Sequence, residues 1–260
     1  IDNVKNQLTE TIKLIVVENG SNNDSFDRIS SKVIHEALGR VEIIKSDINL
    51  GFGGACNLGL EAVKTEWVLM LNPDIRLEND FIQKLSSVKL DTIKFYGFNT
   101  VDAYQKSIYF WGGYCVNWVC LNIKRTKKGL TPDYINGSAF LVTRDVRFSE
   151  RYFLYWEDAE LSHRLLIEGR KPEVLDITLY DLGSTTIGKG FMAYYYYHRN
   201  SLIYYINDTG KVHPAYGILI KLGILFTYVF RGKWTESKAL IAAVYDYLRK
   251  IDGKKNSIIH

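Results

Sequence analysis

Apolar residues in this chain fall into short runs separated by polar, glycine-bearing turns, and longer amphipathic stretches alternate with those runs. Lys13 to Val17 reads as a buried strand closed by the turn Glu18-Asn19-Gly20-Ser21. A helix is expected from about Ser25 to Leu38, stopped at Gly39, and a second strand from Val41 to Ile44. The glycine-rich loop Asn49 to Gly54 then feeds a helix to about Lys64. Trp67 to Leu71 is a third strand, Asp80 to Ser87 a short helix, and Ser138 to Val142 a further strand. Glu157 to Glu168 reads as a helix with Gly169 as its stop, and Val174 to Leu179 as a final strand. Strands alternating with helices of these lengths predict an α/β protein with a mostly parallel central sheet flanked by helices.

The pattern changes at three places. Asp2 to Thr11 reads as the end of a polar helix. Between Ile93 and Pro132 aromatic and glycine-rich pieces replace the alternation and suggest hairpins or strand extensions. Beyond Gly190 the chain turns helical and aromatic, with Tyr194 to Tyr197 read as helix packing. The apolar run Pro214 to Phe230 is interrupted only by Lys221, and a helix from about Glu236 to Lys250 follows, with Thr235 as its expected cap. The run is too short to span a membrane, which leaves a buried core helix or an interfacial one. We therefore divide the chain into an α/β domain, 1–186, and a C-terminal helical extension, 187–260.

Composition narrows the choice. At 47% apolar and 24% charged, the 260 residues suit a folded protein with a sizeable core. The net charge of +4 is uneven: from Ile187 onward 11 Lys or Arg stand against 4 Asp or Glu, whereas the remainder is slightly acidic. A basic tail interleaved with aliphatic runs suggests an anionic membrane surface rather than nucleic acid. Cys56, Cys115 and Cys120 lack zinc spacing and read as reduced thiols, the last two as core residues. They imply a cytoplasmic protein, and the basic tail implies a peripheral place on the inner face of the cell membrane. His35 and His260 read as surface residues, and His163 and His198 as structural ones.

Candidate chemistry gathers at strand ends, where a parallel sheet keeps its ligands. Leu69 to Leu71 ends in Asn72-Pro73-Asp74, which delivers the Asp74 carboxylate, a hard ligand for Mg²⁺ or Mn²⁺, to that edge. Glu18 can accept from a pyrimidine N–H, and the Gly51 loop permits close backbone approach. Phe153 to Asp158 opens a helix whose first turn favours an ionised Asp158, while its aromatic neighbours oppose ionisation; the helix is expected to win, leaving a general base. The Gly51 loop imitates a dinucleotide fingerprint, but four residues separate it from the preceding strand. No Ser-His or Cys-His arrangement is evident.

Taken in order, Ile-Val-Val-Glu-Asn-Gly-Ser (15–21), Asn-Leu-Gly-Phe-Gly-Gly-Ala-Cys-Asn (49–57), Leu-Asn-Pro-Asp (71–74), Asn-Gly-Ser-Ala-Phe-Leu-Val (136–142) and Phe-Leu-Tyr-Trp-Glu-Asp-Ala-Glu-Leu-Ser-His-Arg (153–164) resemble family 2 glycosyltransferases. The nearest branch is the rhamnosyltransferase-like one that builds bacterial surface polysaccharides, and the likeness runs from about Leu14 to Asn200. It implies a GT-A fold and an inverting, metal-dependent transfer from a nucleoside diphosphate-sugar (dTDP-rhamnose-like or a UDP-sugar) to a saccharide or polyprenyl-linked acceptor. By the same resemblance Asp158 is the catalytic base with Glu157 in support, and Asp74 is the metal ligand. Glu18, Asn19, Asn49, Gly51, Phe52, Asn57, Asn72 and Arg199 lie on the donor side. Asp181 stands where the family usually has a histidine and is expected as a second metal contact. The family's first strand is expected ahead of Ile1. A catalytically silent, donor- or glycan-binding relative that serves as an assembly partner is the alternative.

Overall fold

The computed structural model describes residues 1–21, 23–35, 39–104, 108–127, 129–183 and 190–255. Strand β1 (Leu14–Asn19), helix α1 (Ser25–His35) and strand β2 (Val41–Ser46) form a βαβ unit in which β1 and β2 pair in parallel, Leu14 against Val41. Helix α2 (Gly51–Ala62) leads to β3 (Trp67–Leu71), then β4 (Ile75–Leu77), α3 (Phe81–Ser86) and β5 (Lys94–Asp102). The blurred segment resolves into the short strands β6 (Ile108–Trp111), β7 (Gly113–Asn117), β8 (Asn122–Arg125) and β9 (Tyr134–Ile135). Strand β10 (Ala139–Thr143), helix α4 (Glu157–Ile167) and strand β11 (Lys171–Asp181) complete the α/β half.

The central sheet runs β3-β10-β5-β11-β4 with β6 on β5, and it is mixed rather than mostly parallel. Only β5 and β11 pair in parallel; β10 is antiparallel to both β3 and β5, and β4 to β11. The reason lies between β5 and β10. A parallel neighbour needs a long crossover, usually a helix, and here the chain makes hairpins instead, so β10 enters from the opposite end. Its alternating side chains serve both faces of the sheet: Phe140 and Val142 pack with Leu60, Leu161 and Leu165, whereas Ala139 and Leu141 pack with Phe81, Phe98 and Leu179. Among the described strands β1 pairs only with β2, and β3 only with β10.

Three helices follow: α5 (Phe191–Leu202), continued by a π-helical turn Ile203–Asp208, α6 (Pro214–Phe230) and α7 (Trp234–Leu248). They share a core with the α/β half, because Tyr152, Trp156 and Ala159 cluster with Ile203, Tyr204 and Tyr205. Tyr195 and Tyr196 are buried against Ala239 and Ala243, as packing residues.

Several expectations are corrected. Asp2 to Thr11 is not helical beyond a 3₁₀ turn at Lys5–Gln7. Asn3 instead clamps the backbone of Leu77, with its Oδ1 accepting at 2.6 Å and its Nδ2 donating at 3.1 Å. The Gly51 loop is the first turn of α2. Thr235 does not cap α7, whose N-terminal flank is Lys233 with no side-chain cap. Helix α6 is no core helix, since only Gly217 and Lys221 are buried in it. Cys120 is exposed in the β7–β8 turn rather than core. The expected end of α1 at Leu38, Ser184 and His260 lie outside the described residues.

Candidate active site

Asp158 reaches the sheet edge because α4 starts beneath the loop that feeds β10. Its Oδ2 accepts the Gly137 N–H at 2.9 Å and its Oδ1 the Ala159 N–H at 2.8 Å. One residue further, the Ser138 carbonyl accepts the Asn72 N–H at 2.9 Å. A single three-residue loop thus ties Asp158 to the turn that carries Asp74, and both acids stand at one edge. Gly137 has no room for a side chain to spare: a Cβ there would press on Phe52 at 3.2 Å and on Asp158 at 3.3 Å.

The acids differ in environment. Glu157 is buried, and its Oε2 has no hydrogen-bond partner among the described residues. Burial first, and then the Asp158 charge, push its carboxyl well above the ordinary range, so Glu157 is held neutral. It lies beside Cys56, whose thiol burial pushes up to about 12. Asp158 is half-buried, and desolvation raises it to about 6 against the opposing backbone N–H bonds. The expected balance is reversed in sign, because aromatic walls outweigh the helix start. Even so, Asp158 is mostly ionised at neutral pH.

The loop ahead of this pair is strained. Tyr155 and Trp156 both take left-handed backbone angles, φ 64° and 73°, which non-glycine residues adopt at a cost of about 1–2 kcal/mol each. Asn200 of α5 holds them there. Its Nδ2 donates to the carbonyls of Leu154 at 2.7 Å, Tyr155 at 3.0 Å and Tyr152 at 3.3 Å. The Trp156 indole N–H donates to the Tyr197 carbonyl at 3.0 Å.

Arg199, expected on the donor side, is instead 0% exposed. It donates to Asn200 Oδ1 at 3.0 Å, to the Tyr195 hydroxyl at 3.2 Å and to the carbonyls of Arg151 and Gly253 at 3.4 and 2.9 Å. Gly253 N–H returns a bond to the Arg151 carbonyl at 2.8 Å, and Lys254 reaches the Asn49 carbonyl at 3.1 Å. Arg199 is therefore a brace for the strained loop.

The glycine turn serves the same loop. Gly51 has φ 77°, and a Cβ there would strike the Phe153 carbonyl, which accepts the Phe52 N–H at 3.0 Å. Asn19 holds this turn from β1, donating to Gly51 O at 3.0 Å and accepting from Leu50 N–H at 2.9 Å, and Asn49 Oδ1 accepts from Gly51 N–H. Asn57 makes a two-way backbone clamp on Phe148, at 2.8 and 3.0 Å. Glu18 is buried and accepts from Ser21 N–H at 2.9 Å and the Ser25 hydroxyl at 3.3 Å; hydrogen bonding from Ser21, its side chain above all, and from Ser25 holds its carboxyl below the ordinary value. Glu18, Asn19, Asn49, Gly51 and Asn57 thus build the edge from within.

Asp181 lies in register with Ile75, and the Asp74 carbonyl accepts the Leu182 N–H at 3.1 Å. Burial, then the Asp181 charge, raise the Asp74 carboxyl. Two half-buried carboxylates that repel one another form a donor set that a divalent cation would relieve. No group of three such ligands occurs among the described residues. Mg²⁺ and Mn²⁺ fit that arrangement, since one or two carboxylates with phosphate and water oxygens suffice for Mg²⁺.

His35 is exposed and His198 buried, as expected; His198 touches the Tyr228 hydroxyl at 3.2 Å and Lys221 at 3.5 Å. A separate 610 Å³ cleft opens at the far end of β10, lined by Lys64, Glu66, Arg144 and Arg170. Its arginines are engaged, Arg170 with Asp145 and Thr143, and Arg144 with the Val63 and Lys64 carbonyls. The sequence reading missed Gly137, which stands inside the quoted motif 136–142, and Asn200, which it named only as the end of the likeness.

Residues 1–145 match the family described as Glycosyl transferase family 2. No curated protein matches the sequence. Among solved structures, the mannosyltransferase PcManGT from Pyrobaculum calidifontis, in complex with GDP-Man and Mn²⁺, is similar at TM-score 0.59 and 11% identity, covering 96% of this chain and 82% of its own. GalNAc-T7 with UDP, GalNAc and Mn²⁺ gives 0.56 and 13%, covering 72% and 41%, and TarS of S. aureus gives 0.52 and 13%, covering 96% and 46%. This chain spans less than half the length of the latter two. At such identities the likeness is one of fold, the GT-A type.

Proposed function

Because this chain belongs to glycosyl transferase family 2, we propose that it is an inverting transferase that moves a sugar from a nucleoside diphosphate-sugar to a hydroxyl of a saccharide or lipid-linked acceptor. The observation that carries the reading is the single loop, residues 136–138, that joins an ionisable, half-buried Asp158 to the Asn72–Asp74 turn. Asp158 accepts the proton of the acceptor hydroxyl as that oxygen bonds to the anomeric carbon and the bond to the diphosphate breaks from the other face. The configuration inverts in one displacement, and no protein nucleophile is required. Glu157, neutral and buried, keeps a second negative charge away from Asp158.

Asp74 and Asp181 would hold Mg²⁺ or Mn²⁺, which when bound would neutralise charge on the departing diphosphate. The Gly51 turn and Phe52 border the donor side, and the backbone clamps of Asn19, Asn49 and Asn57 keep that border in place. A dTDP-rhamnose-like or UDP-linked donor, and a role in bacterial surface polysaccharide assembly, belong to the same proposal. So does the division into a catalytic domain, 1–186, and an acceptor- or membrane-facing helical region, 187–260, at the cytoplasmic face.

The test is a thermal-shift panel of UDP-, dTDP- and GDP-sugars with and without Mn²⁺, followed by NMR of the product anomer. The expected result is a stabilisation by one donor class that needs the metal and vanishes in Asp74→Asn. Asp181→Ala weakens the metal requirement; an unchanged metal response would remove Asp181 from the site. No shift with any donor overturns the reading, and binding without turnover across acceptors favours the silent relative.

A further inference from the structure

We propose that the α6–α7 helix pair is a docking surface for an anionic phospholipid bilayer. Along α6 the residues Leu219 (63% exposed), Leu222, Phe226 (73%) and Val229 recur at helical spacing, and Phe230 (84%) continues the stripe to Trp234 (63%). Along α7 the stripe is Trp234, Ile241, Tyr245 and Leu248, all exposed. The opposite sides of the two helices carry the packing. A Cβ on Gly217 would meet Ile206 at 2.7 Å, Lys221 donates to the Ser201 hydroxyl at 2.7 Å, and Ala239 and Ala243 cover Tyr195 and Tyr196.

The rim of this apolar face selects its occupant. Between residues 211 and 250 every exposed charge is positive: Lys211, Arg231, Lys233, Lys238, Arg249 and Lys250. The two acids of the segment are withdrawn. Asp246 is buried with Lys255 and the Tyr195 hydroxyl, and Glu236 is half-buried and pairs with Lys233 at 3.7 Å. A second copy docking face to face would set cations against cations, whereas an anionic lipid surface complements them. Trp234, Tyr216 and Tyr245 add amphipathic rings suited to the headgroup level.

Insertion is shallow on geometric grounds. The 17 residues of α6 reach about 25 Å, short of the roughly 30 Å hydrocarbon core. No helix among the described residues is long and apolar enough to cross a membrane. The face lies one helix from the catalytic loop: α5 packs Tyr196 on Phe153, at a ring separation of 5.1 Å, and binds α7 through Tyr195 and Asp246. That distance suits an acceptor held at the bilayer, a link that rests on the transferase reading; the surface itself does not.

The full chain is tested by co-sedimentation with vesicles of phosphatidylglycerol and phosphatidylcholine in equal parts, against vesicles of phosphatidylcholine alone, at low and high salt. Pelleting with the anionic vesicles is expected, weakened by salt. Phe226→Glu with Phe230→Glu abolishes it, and Arg231→Glu with Lys233→Glu lowers the partition at least about tenfold. All four positions are exposed, and melting curves check that each variant folds. Failure to pellet with anionic vesicles at low salt overturns the proposal, as does equal pelleting with both vesicle types. Self-association by sedimentation velocity, lost in the Phe226→Glu and Phe230→Glu variant and without vesicle binding, assigns the face to a second copy and also overturns it. Donor-induced thermal shifts measured without vesicles separate this result from the transferase reading.

Discussion

Asp158 titrates in the range where it has to work, and the direction of its shift fixes how rate and stability respond to pH. Its folded carboxyl gives up its proton near 6, while the unfolded chain does so near 3.8. Turnover is therefore expected to rise as pH climbs through about 6, because the protonated acid cannot accept from the acceptor. Stability runs the other way. Between these two values the folded chain binds more protons than the unfolded one, so this group makes unfolding easier as pH rises, by an amount on the order of 3 kcal/mol. Asp158→Asn, which never ionises, is expected to lose about 10²–10⁴-fold in kcat and to lack that fall in stability. A pH series of kcat and of urea midpoints for both proteins checks the two signs together.

At the scale of elements, strand ends were readable because apolar runs stop at turns rich in Asn, Pro and Gly, and the acids sit on those turns. What local pattern could not convey is which distant backbone each polar side chain meets. Gly51 reads as a loop residue for a ligand, yet its left-handed turn admits the Phe153 carbonyl, about a hundred residues on in the chain. Arg199 reads as a cation for a diphosphate, yet the carbonyls that ring it come from residues 151 and 253. The antiparallel entry of β10 was likewise hidden in a segment without helices. Asn200 is the element-level prediction. Asn200→Ala leaves the carbonyls of Leu154 and Tyr155 unpaired beside two left-handed residues, and is expected to cost about 1–3 kcal/mol of stability. It should lower kcat more than donor affinity, as single-turnover kinetics with donor titration will tell.

At the scale of the whole molecule, the helical region is not a loose appendage, since its tyrosines share a core with the loop that carries Asp158. The edge of the sheet, the strained loop and α5 form one connected body, with the lipid-facing pair on its outer side. The turn after α7 closes that body like a buckle: Gly253 grips Arg151 and Arg199, Lys254 reaches Asn49, and Lys255 locks onto Asp246. Trimming the chain after Leu248 would unfasten the belt without touching any acid of the cleft. Such a shortened protein should still melt cooperatively and still take up donor, while turning it over poorly, so the extreme tail would register as a loss of catalysis with no apparent cause in the cleft itself.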